Sequence, residues 1–251
     1  MASQPDIVFT FECNFANKFP ENIYTRTKFI TGVTAHTYIH HIDFEPPLQR
    51  AIAIHANSRL LFDEIRKYNR NCFYVPNGVD PDIFEYQPYP KNKNFIVGYA
   101  GKGTKRKGVE DYIIPACKLA GVSFVGTIAK YDNPERVEFK NMPKFYKQVD
   151  CIAIASDMDG TPNQLLEAAS CGRTFVGNAI GNIPEFYSRT NGIIVERKVE
   201  AYADAFKQLK NNRKMCEAMG VEARKTIFKN WTWKDQANNY RTMFLNVLEM
   251  K

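Results

Sequence analysis

Short apolar runs rich in β-branched residues alternate with longer amphipathic stretches along most of this chain. The short runs are typical of buried strands, and the amphipathic stretches have the apolar spacing of helices that bury one face. The predicted strands span residues 7–11, 29–33, 51–56, 72–75, 95–100, 122–125, 151–155, 174–177 and 192–195. The predicted helices span residues 58–67, 109–120, 142–148, 162–171, 200–211, 214–230 and 234–250.

This alternation predicts the α/β class, with parallel sheets whose strands are joined by crossover helices. Turn chemistry at Pro76, Asn77 and Gly78, followed by further prolines and a polar run, indicates a linker over residues 76–94. We therefore expect two Rossmann-like doubly wound domains, the first of them truncated. The expected divisions are a reduced N-terminal domain at 1–78, a larger domain at 79–230, and a C-terminal helix at 231–251 that packs back on the first domain.

The composition indicates which kinds of binding partner suit this protein, but it does not choose among them. The net charge of +7 favours an anionic partner, such as nucleic acid, an anionic membrane surface or a phosphorylated small molecule. The sequence has no apolar run of membrane-spanning length and no signal-peptide core at its start, so a cytoplasmic protein is expected. The 6 cysteines occur singly, which predicts reduced, buried thiols and neither disulfides nor a zinc site.

The strongest candidates for functional residues follow the predicted strand at 151–155, where a polar loop leads into a helix. Thr161 is a good helix N-cap, and Pro162 would occupy the first helical position, where proline is favoured. The N–H groups of Asn163, Gln164 and Leu165 would then point out of the helix start and form an anion site.

Two carboxylates flank this helix start. Asp159 lies on the loop, and Glu167 lies more than one turn into the helix. A nucleoside diphosphate sugar has phosphates that suit the helix start and two sets of hydroxyls that suit carboxylates. We therefore expect Asp159 to hold the sugar and Glu167 to accept a hydrogen bond from the ribose, with Gly160 between them on the loop.

Residues 159–186, DGTPNQLLEAASCGRTFVGNAIGNIPEF, resemble the signature of the retaining GT-B glycosyltransferases of family 4, the group 1 transferases. The shared features are the two spaced acidic residues, a helix of small residues ending at Cys171 and Gly172, a strand, and a loop closing on Glu185. The resemblance implies a GT-B fold and transfer of a sugar from a nucleotide diphosphate sugar. It extends over roughly residues 30–245.

The basic run from Gly101 to Gly108 has the family's spacing. Lys102 falls where the family has an arginine, and Lys107 falls at the lysine of its Lys-Gly pair. Two cations there would neutralise a departing diphosphate as charge develops on it. In isolation the run is better explained as a solvated face or a nucleic-acid patch, but its place after a strand favours the diphosphate.

Further support comes from the first third of the chain. Ala56, Asn57 and Ser58, together with the Pro-Asn-Gly-Val-Asp turn at 76–80, are similar to the family's interdomain passage. His36, in a Thr-Ala-His-Thr setting, matches the family's sugar-contacting histidine, although either His40 or His41 would also suit that role. For His40, His41 and His55 a structural role is the better expectation.

A rival motif overlaps the signature, because Asp157 and Asp159 form an Asp-x-Asp pair. A haloacid-dehalogenase-like phosphatase would use Asp157 as nucleophile and Asp159 as general acid with magnesium, but the later aspartates, Asp204 and Asp235, lie in helical stretches and cannot complete its metal site. A metal-dependent GT-A transferase would leave the basic run without a role. We therefore expect no metal.

Three departures from the family qualify the resemblance. The leading acid is Asp159 where the family has glutamate, and Lys102 gives a point charge where arginine gives a bidentate fork. The N-terminal domain, expected to face the acceptor, is also expected to be shortened. In this respect the chain resembles transferases encoded by large algal viruses. An uncovered sheet edge in that domain predicts a homodimer.

In the last helix we expect Tyr240, Met243, Phe244, Val247 and Leu248 to be core residues.

The expected function is retaining, metal-independent transfer of a hexose to a glycan or other acceptor hydroxyl. The resemblance makes GDP-mannose the first candidate donor and a UDP-sugar the second. The alternatives are a catalytically weak nucleotide-sugar-binding module, a nucleic-acid binder and, least favoured, the phosphatase.

Overall fold

The computed structural model describes residues 5–16, 18–35, 44–129 and 137–250. The chain divides into two compact units. The first unit comprises Met1–Asn77, Met158–Thr161 and Lys234–Lys251, and the second comprises Gly78–Asp157 and Pro162–Trp233. The loop after residue 157 therefore belongs to the first unit, although the chain on either side of it belongs to the second.

The first unit is built on a parallel four-stranded sheet of order β1-β2-β3-β4. Its strands are β1 (Ile7–Thr10), β2 (Lys28–Val33), β3 (Ala53–Ala56) and β4 (Cys72–Tyr74). Its helices are α1 (Cys13–Ala16), α2 (Ile23–Arg26), α3 (Glu45–Arg50), α4 (Arg59–Ile65) and, from the chain's end, α11 (Trp233–Glu249).

Strand alternation gives this sheet two buried faces. Phe29 packs with the buried residues of α1, α3 and α4, whereas the next residue, Ile30, packs with Val247 of α11 on the opposite face. Lys28 Nζ donates to the carbonyls of Val247 and Leu248, which places a cation at the C-terminal end of α11. The sheet thus holds the final helix by both packing and charge.

The core prediction for α11 is correct in part. Met243 and Val247 are buried, and Phe244 and Tyr240 are partly buried against the sheet. Leu248 is wrong as a core residue, because its side chain is 44% exposed. It lies on the exposed face of the helix, with Leu245 and Glu249.

The second unit has a parallel five-stranded sheet of order β6-β5-β7-β8-β9. Its strands are β5 (Ile96–Lys102), β6 (Ser123–Ala129), β7 (Cys151–Ile154), β8 (Thr174–Gly177) and β9 (Gly192–Ile194). Its helices are α5 (Ile114–Ala120), α6 (Met142–Lys147), α7 (Asn163–Ser170), α8 (Ile183–Phe186), α9 (Val199–Asn211) and α10 (Arg213–Asn230). Apolar clusters fill both faces of the sheet.

Two parallel-sheet α/β units confirm the predicted fold class. Each predicted strand is present, but β5 runs on to Lys102 because its pairing with β6 continues to that residue. The helix predicted at 109–120 opens as a π-helical turn at Val109–Ile113, which ends two residues before Pro115, a residue with no N–H to donate. The short helices α1, α2, α3 and α8 were missed, since so few residues show no period.

The prediction of a linker over 76–94 is wrong for much of its length, because this segment packs into the second unit. Phe84 is buried, and the side chain of Arg173, itself buried, donates to the carbonyls of Gln87 and Pro88 at 3.0 and 2.7 Å. Val79 N–H donates to the carbonyl of Trp231. This proline-containing segment is therefore an ordered part of the second unit and not a flexible connection.

All the cysteines are free thiols, five of them buried and Cys72 half-buried. The burial of these side chains is as the sequence predicts. Burial raises the pKa of several of these groups, including Cys171 to about 12, so they are neutral in ordinary buffers.

His55 ties β3 to α11 inside the first unit. Its Nε2 lies 3.2 Å from Tyr240 Oη, and its ring lies against Phe9. Burial lowers the pKa of His55 to about 4. Its full burial and its contact with Tyr240 support the structural role expected for this histidine.

We predict an acid-sensitive contribution from His55 to stability. Because its folded pKa lies below the ordinary value of about 6.5, the unfolded chain gains a proton first, and stability is lost as pH falls from about 6.5 to about 4. The expected loss is about 3 kcal/mol. Urea unfolding across this window should show a smaller loss in His55→Gln; an identical loss in both proteins would contradict the assignment.

Candidate functional site

The second sheet reverses its strand order beside β5, and open α/β sheets have their ligand-binding crevice at such a point. From β5 the chain crosses to β6 on one side and then returns to β7 on the other. β5 pairs with β6 along its whole length, whereas its pairing with β7 is confined to Val97 with Cys151 and Gly98 with Ile152. The carboxyl ends of β5 and β7 therefore part, and open α/β sheets bind ligands at such a point.

Gln164 joins the start of α7 to β5 at this point. Beyond Gly98 the N–H of Ala100 has lost β7 as a partner, and it donates to Gln164 Oε1 at 2.9 Å. Gln164 lies in the first turn of α7 and is buried. The start of α7 is thus fixed against the carboxyl end of β5.

The start of α7 differs from the prediction by one residue. The helix begins at Asn163, and its N-cap is Pro162 in an extended conformation, not Thr161. The Thr161 hydroxyl is instead 3.4 Å from the carbonyl of Asn57. The N–H of Leu165 donates to the Pro162 carbonyl at 2.8 Å, so including Leu165 in the anion site was also wrong.

The basic run lies at the carboxyl end of β5, on the same edge as the start of α7. Lys102 ends the strand and is exposed, and Lys107 is half-buried in a 3-10 turn spanning Lys105–Lys107. The backbone of this turn is held on the loop after β7, since the N–H of Asp157 donates to the Arg106 carbonyl at 2.9 Å.

Arg197 and Gly108 complete this attachment. Arg197 Nε donates to the Ala155 carbonyl at 2.7 Å, and its guanidinium lies over the ring of Tyr112. Gly108 has a φ of 66°, and a Cβ there would lie 2.5 Å from the Ala155 carbonyl oxygen. Only glycine therefore lets the basic turn approach β7 so closely.

The loop after β8 is joined to the same edge. Asn178 Nδ2 donates to the Ser156 carbonyl at 2.9 Å, and Tyr202 Oη donates to Asn178 Oδ1 at 3.2 Å. Glu185, on which the signature loop closes, is half-buried in α8. Hydrogen bonds thus preorganise the loops that follow three adjacent strands.

Glu167 is half-buried and accepts a hydrogen bond from a residue that the sequence did not single out. Tyr146 Oη, fully buried on α6, donates to Glu167 Oε2 at 2.6 Å. Burial raises the pKa of Glu167, and the hydrogen bond from Tyr146 opposes that rise. No spacing rule links a tyrosine on one predicted helix to a glutamate on another, so this pair could not have been predicted.

Asp159, Gly160 and Thr161 lie in the first unit, at the carboxyl edge of its sheet. Asp159 is buried, and a Cβ on Gly160 would lie 2.0 Å from the Thr34 carbonyl oxygen, so glycine is required for the loop to sit there. Thr34 Oγ1 donates to Glu12, and burial raises the pKa of the Glu12 carboxyl to about 7.

The predicted sites thus fall into two groups. The first unit contains Asp159, Gly160 and Thr161, and the second unit contains Gly101, Lys102, Lys107, Pro162, Asn163, Gln164 and Glu167. His36, with His40 and His41, lies outside the described residues. Within the described ranges, no group of three or more His, Cys, Asp or Glu side chains is arranged to hold a metal ion. The helices of the same ranges include none with the length and apolar character of a membrane span.

Sequence comparison identifies relatives of this chain. The family model for glycosyl transferases group 1 matches residues 85–212, which is just over half of the chain. The capsular polysaccharide biosynthesis glycosyltransferase CapM of Staphylococcus aureus is 24% identical, with the match covering 80% of this chain. The chain spans 63% of the length of that curated relative.

Solved structures share the fold. A sucrose-phosphate synthase from Thermosynechococcus elongatus superposes with a TM-score of 0.77 at 12% identity, covering 96% of this chain and 73% of that one. HepE of Anabaena, solved in complex with UDP and glucose, superposes with a TM-score of 0.77 at 14% identity, covering 98% of this chain and 78% of that one. These similarities agree with a Rossmann-like GT-B fold.

We predict that Gly108→Ala destabilises the protein more than Gly121→Ala does. Both glycines have left-handed φ values, 66° and 61°, so both substitutions cost about 1 kcal/mol in backbone strain. Among the described residues, the new Cβ at Gly121 would meet just Lys210 Nζ, at 3.5 Å, whereas at Gly108 it would meet a backbone carbonyl at 2.5 Å. Chemical unfolding should give Gly108→Ala at least about 2 kcal/mol of additional loss; equal losses would contradict the close approach.

Proposed function

The chain belongs to the glycosyl transferases of group 1, and on that premise we propose that it transfers a hexose from a nucleotide diphosphate sugar to an acceptor hydroxyl. The transfer retains the anomeric configuration and uses no metal ion. The observation that carries the proposal is the crevice between β5 and β7, where Lys102, Lys107 and the start of α7 share one edge of the sheet.

Negative charge develops on the donor's diphosphate as it leaves, so positive charge at that place would stabilise it. Lys102 and Lys107 supply two cations, and the N-terminal end of α7 adds the positive end of a helix dipole. The basic turn is already held on the loop after β7 by the backbone hydrogen bond from Asp157 to Arg106, so little reorganisation is needed when charge develops. In this mechanism the two lysines take the place of a metal ion.

The remaining site residues have binding roles. Asp159 holds the hexose, Glu167 accepts from the ribose hydroxyls, and His36 contacts the sugar near its anomeric centre. The helix start at Pro162, Asn163 and Gln164 stabilises the departing diphosphate with the two lysines, and Gly101, Gly160 and Thr161 are further donor-binding residues.

The donor and acceptor are proposed by class. GDP-mannose is the first candidate from the family resemblance, and UDP-glucose is the second because HepE was solved with UDP and glucose. The acceptor is a hydroxyl of a glycan or similar molecule, consistent with the capsular polysaccharide role in the name of CapM. A homodimer acting in the cytoplasm stays a prediction.

Calorimetry on the purified protein with GDP-mannose, UDP-glucose and UDP-N-acetylglucosamine tests this proposal. We expect at least one donor to bind, and Lys102→Ala and Lys107→Ala each to weaken that binding about tenfold, because each removes a charge-assisted hydrogen bond. Lys118→Ala, an exposed lysine on α5, should leave binding unchanged.

A slow hydrolysis of the bound donor should accompany binding. Binding without any hydrolysis or transfer would favour a nucleotide-sugar-binding module instead. If none of the donors binds, or if Lys118→Ala weakens binding as much as Lys102→Ala, the proposed function is wrong.

A further inference from the structure

We propose that Tyr146 is a positioning residue: its buried hydroxyl orients the Glu167 carboxylate so that the free side of that carboxylate meets the ribose of the donor. The inference rests on the proposed function, because it assumes that Glu167 accepts from the ribose. It adds a residue on α6 to a site otherwise formed by the edge of the sheet and by α7.

Tyr146 is held rigidly enough to act as a fixed donor. Its side chain is fully buried, and its ring lies against the rings of Phe84 and Phe145, with centroids 6.2 and 5.3 Å away. Its own carbonyl accepts from Arg173 Nε at 2.9 Å, which fixes the end of α6 near the end of α7. The hydroxyl therefore points in one direction.

The hydrogen bond occupies one side of the carboxylate. Tyr146 Oη donates to Oε2 of Glu167 at 2.6 Å, and within the described residues this is the one hydrogen bond that the Glu167 side chain makes. Glu167 lies three residues after Gln164, so both project from the same face of α7, one turn apart. With Oε2 occupied, Oε1 remains to accept from a ribose hydroxyl.

Orientation of this kind improves binding without adding a contact to the ligand. A glutamate side chain loses rotamer freedom when it is immobilised on binding, and a partner that holds it beforehand removes that cost. Charge is also affected, because a tyrosine hydroxyl stabilises the ionised carboxylate that best accepts two hydroxyl donors. Tyr146 serves both purposes from inside the protein.

Few titratable groups face Glu167 in the described part of the chain. Burial is the main cause that raises its pKa, and Tyr146 opposes it. Cys171, at the end of α7, interacts with the carboxylate, but burial raises the pKa of that thiol to about 12, so it stays neutral. Removing the Tyr146 hydroxyl should therefore raise the pKa of Glu167 further.

Tyr146→Phe tests the inference, because it removes the hydroxyl and keeps the ring. We expect the donor KM and the calorimetric Kd to rise about tenfold while kcat changes less than about twofold. The acid limb of donor binding should also move to higher pH, since a protonated Glu167 accepts less well. Tyr68→Phe, which removes an exposed tyrosine–glutamate hydrogen bond to Glu45, is the matched control and should change neither.

A double-mutant cycle with Glu167→Ala separates positioning from general damage, with thermal unfolding confirming that each variant folds. If Tyr146 acts through Glu167, Tyr146→Phe should have almost no further effect on donor binding once Glu167 is alanine. Additive losses, or wild-type donor binding and pH profile in Tyr146→Phe, would overturn the inference and leave the proposed function standing. Absence of donor binding by the unmodified protein would instead reject the proposed function.

Discussion

The parting of β5 from β7 is the constraint on which the rest of the site depends. The two strands pair only at Val97 with Cys151 and at Gly98 with Ile152, so the N–H of Ala100 is left without a strand partner. Gln164 accepts from that N–H, which places the start of α7 against β5. A crevice at the carboxyl ends of two parallel strands and a fixed helix terminus therefore arise from one interruption in the hydrogen-bond ladder.

Backbone contacts then position the basic turn at this crevice. Gly108 lets the basic turn approach Ala155, and the carbonyl of Arg106 accepts from Asp157, so the main chain of the turn that carries Lys107 is fixed beside β7. The carboxylate side is positioned differently, by the buried Tyr146 hydroxyl on Glu167. Cations are thus placed by the main chain, and the carboxylate by a side chain from the neighbouring helix.

Much of the fold could be predicted from the sequence because short apolar runs and amphipathic stretches differ in period. Within the site, the positions of Lys102, Lys107 and Glu167 on strand end, turn and helix followed from local pattern. Thr161 could not be placed correctly, because its hydroxyl lies against Asn57, which is distant in sequence. Tyr146, Arg173 and Arg197 were missed for the same reason: each makes its hydrogen bonds to residues from other elements, and no local pattern encodes that.

The central claim is that the crevice between β5 and β7 binds the diphosphate of the donor. Hydrogen–deuterium exchange with and without a saturating nucleoside diphosphate tests it most directly, because it reports where the ligand binds as well as whether it does. We expect slower exchange in peptides covering residues 101–108 and 162–167, with residues 200–230 unchanged. Unchanged exchange in both peptides, or protection confined to other parts of the chain, would contradict it.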